Sequence, residues 1–320
     1  MFRVTRVAAI DCGTNSIRLL VADVAPDGSL TDLVRRMEVV RLGQGVDRTG
    51  ELAPEALART LEMTREYAAT IAELGAEHVR FVATSATRDA RNRQEFVDGV
   101  REILGVEPEV VAGDEEAELS FAGATSVLGG EHGGPFVVVD LGGGSTELVL
   151  GTTTPDAAHS MDVGCVRMTE RHLHDDPPTA EQEAGARADV RAALDTAQQT
   201  VDLGQAVTLV GLAGSVTTVT AHALGLPVYD RDKINGAVLP VEDVLAACDS
   251  LVHMPRDERA ALGFMHPGRV DVIAAGALVW SEVVARVRDE VAARGGTLTS
   301  VVTSEHDILD GIALSAAARD

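Results

Sequence analysis

Phe136–Gly151 reads FVVVDLGGGSTELVLG: an apolar run drives into an aspartate, three glycines, two hydroxyls and a glutamate, then into a second apolar run. The β-branched Val137–Val139 predicts a buried strand and Glu147–Leu150 its returning partner, which puts Gly142, Gly143 and Gly144 at a hairpin turn. Glycines have two uses there. They permit positive φ, and without Cβ atoms they let backbone N–H groups close on an anion. Asp140 ends the incoming strand at the mouth of the turn, where a bare carboxylate would repel phosphate unless a cation lay between them. It therefore reads as a Mg²⁺ or Mn²⁺ ligand, direct or through water.

Three glycines alone mark an ordinary hairpin as readily as a phosphate site. Two further stretches shift the balance. Val7–Ala22, VAAIDCGTNSIRLLVA, repeats the design with Asp11, Gly13 and the hydroxyls Thr14 and Ser16. Val207–Val219, VTLVGLAGSVTTV, is again strand, glycine turn and helix start, with Gly214 and Ser215 at the turn. The two Asp-led hairpins predict two similar halves facing each other across a cleft.

Other segments carry candidate chemistry. Thr84–Asn92, TSATRDARN, follows a strand, and Arg88 comes after the hydroxyls of Thr84, Ser85 and Thr87 at a strand end, where loops of α/β sheets meet ligands. A helix arginine paired with Asp89 or Glu95 is the plainer alternative; Arg91 and Arg93 stay open. Asp114, Glu115 and Glu116 crowd a helix's first turn. They complement the helix dipole there, and their mutual repulsion also raises a carboxylate's proton affinity, as a general base requires.

With GDEEA at Gly113–Ala117, DPPT at Asp176–Thr179 and GRVDVI at Gly268–Ile273 added to these stretches, the chain resembles the exopolyphosphatase and guanosine pentaphosphate phosphohydrolase family from Ala8 to Leu314. That family is a branch of the actin-like and sugar-kinase ATPase superfamily. The resemblance implies an α/β fold of two actin-like (ribonuclease H-like) domains facing each other across a cleft. The glycine-rich Leu128–Pro135 reads as the linker, giving 1–128 plus 305–320 and 129–304. The implied activity is release of terminal phosphate from inorganic polyphosphate, with short chains preferred. Guanosine pentaphosphate hydrolysis is the alternative, and a nucleotide- or alarmone-binding regulator the rival from another class.

The resemblance also implies roles for single residues. Glu116 matches the catalytic base, with Glu115 and Glu118 as weaker alternatives. Gly13, Thr14, Asn15, Ser16, Arg88, Gly142, Gly143, Gly144, Ser145, Thr146, Gly214 and Ser215 would contact phosphate. Ser215 stands where relatives usually carry threonine. Asp140, with help from Asp11 or Glu147, would hold Mg²⁺ or Mn²⁺. Arg269 and Asp271 of GRVDVI read as an internal pair at a helix start. Asp310, before Gly311, has no assigned role.

A chain of 320 residues, 45% of them hydrophobic, can fill two cores. A net charge of −23 argues against a nucleic-acid binder, which needs a basic face, and any polyphosphate site must be positive locally. Lys233 is the single lysine, and the remaining basic residues are arginines. Cys12, Cys165 and Cys248 lack the spacing of a zinc or redox motif and read as reduced cytosolic thiols. His172 and His174, beside Asp175 and Asp176, read as a solvated turn rather than a metal site. No run approaches the roughly 20 apolar residues of a membrane span, so a cytoplasmic protein without a membrane partner is expected. The family resemblance leaves a homodimer open.

The expected elements begin with a meander of Val4–Asp11, Ile17–Asp23 and Leu30–Val40, turning at Asp27-Gly28. Helices are expected from Pro54 to about Leu74, from the GDEEA acids through Val127, from Thr179 to about Val201, and over Arg269–Val291 and Asp307–Ala318.

Overall fold

The computed structural model describes residues 4–126, 128 and 132–318. Of the expected linker, Gly129, Gly130 and Glu131 lie outside the described residues, as does Val127, the expected end of the GDEEA helix. The chain divides into two compact units, Met1–Ser126 with Asp307–Asp320, and Val127–His306.

The first unit opens with the expected meander. β1 (Thr5–Cys12), β2 (Ser16–Val24) and β3 (Leu30–Val39) pair antiparallel, and β4 (His78–Ala83) and β5 (Glu109–Val110) add in parallel, giving the order β3-β2-β1-β4-β5. Gly28 takes φ 82 in the turn between β2 and β3, a conformation that suits glycine. β1 is apolar from Val7 to Ile10 because both its faces are covered there. Ala8, Ile10 and Cys12 share a core with Tyr67, Ile71, Phe96 and Val100 of the Pro54–Leu74 and Arg93–Leu104 helices. Val7 and Ala9 point the other way, to Leu119 and to Ile308, Leu309, Ile312 and Ala313 of the terminal Ile308–Ala317 helix.

That terminal helix approaches the Gly113–Thr125 helix closely. A Cβ on Gly123 would lie 1.9 Å from the Asp307 carbonyl oxygen, and one on Gly311 2.0 Å from that of Leu119. Asp307 caps the helix by accepting the Leu309 N–H at 3.0 Å, and Asp310 accepts the Asp307 N–H at 3.2 Å. Asp310, fully buried, also takes two guanidinium N–H groups of Arg35 from β3, at 2.6 and 3.1 Å. Its role is to fasten the end of the chain to the first sheet.

The second unit repeats the plan. β6 (Phe136–Leu141), β7 (Thr146–Gly151) and β8 (Pro155–Met161) pair antiparallel; β9 (Thr208–Leu212) joins β6 in parallel, and β11 (Ser300–Thr303) joins β9 in parallel. The order β8-β7-β6-β9-β11 matches that of the first unit in sequence and direction. A short strand that the sequence pattern did not announce, β10 (Val238–Pro240), runs antiparallel along the β11 edge.

Thr179 caps the Ala180–Ala197 helix through a capping box with Gln182. The helix expected from Arg269 instead starts at Ile273, because Pro267–Arg269 forms a separate 3₁₀ turn in which His266 Nδ1 accepts the Gly268 N–H. The expected Arg269–Asp271 pair is corrected: Asp271 accepts Arg256 Nε at 2.8 Å, and Arg269 lies elsewhere.

Without Asp310, Arg35 keeps Asp32 at 2.8 Å, but the Asp307 N–H loses its acceptor and the buried tie to the sheet is gone. Asp310→Ala is expected to lower unfolding free energy by about 1–3 kcal/mol, read from urea denaturation midpoints.

Candidate active site

The two Asp-led turns are closed by the same bond. The Gly13 N–H donates to the Ser16 carbonyl at 2.9 Å, and the Gly142 N–H to the Ser145 carbonyl at 3.0 Å. Neither glycine has a positive φ, contrary to one of the two uses expected of them. At Gly142 the missing side chain permits close approach, since a Cβ would lie 3.1 Å from the Ser145 oxygen.

Both turns are braced from behind by donors to their carbonyls. In the first, Gly43 N–H reaches the Thr14 carbonyl at 2.8 Å, and Val40 and Arg41 N–H reach that of Asn15 at 3.1 and 2.8 Å. In the second, the start of the Cys165–His172 helix does this work. Cys165 N–H binds Gly142 O at 3.0 Å, Val166 and Arg167 N–H bind Gly143 O at 2.8 and 3.1 Å, and Arg167 Nε binds Gly144 O at 2.7 Å. With the carbonyls so engaged, the amides of Thr14, Asn15, Gly143, Gly144 and Ser145 have no backbone acceptor among the described residues. Such a row of amides is an anion nest. The Thr14 hydroxyl and the Asn15 side-chain oxygen are also buried without a hydrogen-bond partner among the described residues.

The strand register distinguishes the turns. Asp11 faces Arg18 across β1 and β2, whereas the matched Asp140 faces Glu147 across β6 and β7. Asp11 Oδ2 accepts Arg18 Nε at 2.9 Å and Nη2 at 2.6 Å, and Arg18 Nη1 pairs with Asp307. The expected share of Asp11 in metal binding is therefore revised, because a guanidinium already meets its charge. Burial still pushes the Asp11 carboxyl above its ordinary range, against the pull of Arg18.

Asp140 and Glu147 are 6% and 1% exposed, and Ser160 donates to Glu147 Oε1 at 2.8 Å. Two adjacent buried carboxylates are an oxygen donor set that fits Mg²⁺ or Mn²⁺. No group of three or more His, Cys, Asp or Glu able to hold a metal occurs among the described residues. A pair of carboxylates nevertheless suits Mg²⁺, which keeps several waters and takes further ligands from substrate phosphates.

Arg88 and Glu116 come together in the first unit. β4 delivers Thr84, whose N–H donates to the Cys12 carbonyl at 3.1 Å and whose hydroxyl lies 3.9 Å from where a Gly13 Cβ would be. One turn on, in the Ser85–Asp89 helix, Arg88 Nη1 donates to the Val111 carbonyl at 3.0 Å and to Glu116 Oε2 at 2.9 Å. Glu116 is 7% exposed. Glu115, its neighbour, is bound by Arg80 at 2.8 Å, and Glu118 is exposed. Arg91 is taken by the Thr49 carbonyl and Glu51.

Other expected contacts are placed differently. The Thr146 hydroxyl is buried and donates its proton to the Val163 carbonyl at 2.5 Å. Gly214 and Ser215 lie within the Ala213–Ala223 helix rather than in a loop, and the left-handed residue at that junction is Ala213, φ 68. The guanidinium of Arg269 rests on Gly214, where a Cβ would come within 2.1 Å of Nη2. Ser215 packs against Gly276 and bonds the Cys165 thiol, which burial pushes above its ordinary pKa. Arg269 at this turn was missed by sequence reasoning; its signal was the GR of Gly268–Ile273, read there as one half of a local pair. His172 pairs with Asp189, and His174 is exposed.

The sequence model described as the Ppx/GppA phosphatase family matches residues 20–314. The chain belongs to the Ppx/GppA phosphatase family. Among its relatives, exopolyphosphatase 2 of Mycobacterium tuberculosis is 52% identical, the match covering 98% of this chain and 99% of that protein. Guanosine-5'-triphosphate,3'-diphosphate pyrophosphatase of Photobacterium profundum is 35% identical over 65% of this chain and 42% of its own length. The crystal structure of an exopolyphosphatase-like protein superposes with a TM-score of 0.95 at 50% identity, covering 98% of this chain and 99% of that one. A family member from Aquifex aeolicus gives a TM-score of 0.79 at 28% identity, with 99% of both chains covered. The two-domain actin-like α/β fold is that of these Ppx/GppA structures. Within the described residues no helix is long and apolar enough to cross a membrane.

Gly164 belongs to the brace of the second Ppx/GppA turn, since a Cβ there would lie 2.5 Å from the Gly143 carbonyl. Gly164→Ala is expected to cost about 1–3 kcal/mol of stability through this overlap, read from denaturant unfolding.

Proposed function

We propose that this chain is an exopolyphosphatase, hydrolysing the terminal phosphoanhydride of inorganic polyphosphate. The observation that carries the reading is the buried Glu116 carboxylate held at 2.9 Å by Arg88, in the unit that also carries the first amide-lined turn. Its support from outside the site is 52% identity, over nearly the whole length, to a protein named exopolyphosphatase 2.

Phosphoryl transfer needs positioning and charge neutralisation more than covalent chemistry. The amides of Thr14 and Asn15, with the Thr14 hydroxyl, and those of Gly143, Gly144 and Ser145 supply donors to phosphate oxygens. Arg88 binds the terminal phosphate. Glu116 orients the attacking water and accepts its proton as the bond to phosphorus forms. Asp140 and Glu147 hold Mg²⁺ or Mn²⁺, which when bound supplies the positive charge that offsets the anhydride oxygens. Asp11, neutralised by Arg18, anchors the first turn. The three buried, free cysteines suit a reducing, cytoplasmic setting.

The test measures phosphate release from tripolyphosphate, long-chain polyphosphate, guanosine pentaphosphate and ATP with Mg²⁺. Polyphosphate is expected to be the best substrate; faster release from guanosine pentaphosphate would assign the alternative activity, and release from none would favour a regulator. Glu116→Gln is expected to lower turnover by about 100-fold or more, while unchanged turnover would remove Glu116 from its role. Asp140→Asn and Glu147→Gln are each expected to raise the Mg²⁺ concentration for half-maximal release by about tenfold or more.

A further inference from the structure

We propose that the Arg88–Glu116 ion pair is a latch the substrate opens: the terminal phosphate takes Arg88 from Glu116 and so frees that carboxylate to accept a proton from water. This deepens the reading above and rests on its assignment of Glu116 as base and Arg88 as phosphate ligand.

The two roles conflict in the geometry as it stands. With Arg88 Nη1 at 2.9 Å from Oε2, that carboxylate oxygen of Glu116 is already engaged in a charge-assisted bond. The arginine that should grip phosphate is the same group. Exchange resolves both problems in one movement. Arg88 need not leave the site to make it: its own N–H stays on the Thr84 carbonyl at 3.0 Å, and its Nη1 also donates to the Val111 carbonyl, also at 3.0 Å. Those bonds hold the helix turn at Thr84 and the guanidinium at Val111 while its carboxylate partner is replaced.

A terminal phosphate favours the exchange because it offers three oxygens and more negative charge to a planar fork that suits phosphate bidentately. Glu115 cannot take the place of Glu116 on Arg88, because Arg80 binds it at 2.8 Å. In the step that follows, the water oxygen bonds to the terminal phosphorus and the bridging P–O bond breaks. Its electron pair stays on the shortened chain, and the proton from water passes to Glu116. Without a terminal phosphate the latch stays shut and the base stays occupied.

Inorganic phosphate, which is bound without being turned over, is the probe. Calorimetry compares wild type, Glu116→Gln, Arg88→Met, the double variant and Glu115→Gln. Loss of the competing charge at position 116 is expected to tighten phosphate binding by about fivefold or more, within the range one charge-assisted hydrogen bond commands. In the Arg88→Met background the gain is expected to vanish, and Glu115→Gln is expected to change the dissociation constant by less than about twofold.

Phosphate binding no tighter in Glu116→Gln than in wild type overturns the latch, and this comparison stands even if Arg88→Met fails to fold. A gain that persists without Arg88, or appears equally in Glu115→Gln, also overturns it by revealing a general field effect. Phosphate release from polyphosphate by wild type is measured in parallel. Release without the binding gain sinks the latch alone; no release sinks the hydrolase reading and the latch with it.

Discussion

In each unit, the candidate residues depend on how its Asp-led turn is held. Each is closed by one short backbone bond and braced by amides from a later segment, so its carbonyls are occupied on one side. A peptide unit with its carbonyl fixed has its N–H direction fixed as well. The result is two rigid rows of donors built from backbone, which needs no basic side chain. In a chain of net charge −23, peptide dipoles of this kind put partial positive charge at the turns without a basic side chain.

The two halves share strand order and turn geometry, yet one register position separates their chemistry. Arg18 in the first hairpin neutralises Asp11 and reaches Asp307, tying the turn to the start of the terminal helix. Glu147, at the matched place in the second, adds charge to Asp140 instead. A duplicated fold thus pairs its leading aspartate with an arginine across the strands in one half and with a glutamate in the other. The same economy appears at Asp310, whose charge is met by Arg35 and whose oxygen also bonds the Asp307 N–H, so one buried carboxylate caps a helix and fastens it to the sheet.

Most of the architecture was legible along the chain, because alternating and apolar runs of β1, β2, β6 and β7 have the length and composition of strands. The Pro54–Leu74 helix runs between the bounds its proline start and apolar spacing implied. Errors fell where local pattern has no claim on partner choice. Arg269 and Asp271 are two residues apart and looked paired, but the 3₁₀ turn at Pro267 sends Arg269 to Gly214 and leaves Asp271 to Arg256. The bond from the Thr146 hydroxyl to Val163 was equally beyond local pattern, because the pleat of β7 sets it.

By itself, the sequence determined the fold class and the two Asp-led glycine turns, because strand periodicity, turn chemistry and motif order are local properties. Only the tertiary structure decided who meets whom. It gave Asp11 to Arg18, Glu115 to Arg80 and Glu116 to Arg88, pairings that span strands and helices far apart in the chain. A charged side chain takes its partner from whatever folding brings within a few ångströms, and distance along the backbone does not encode that.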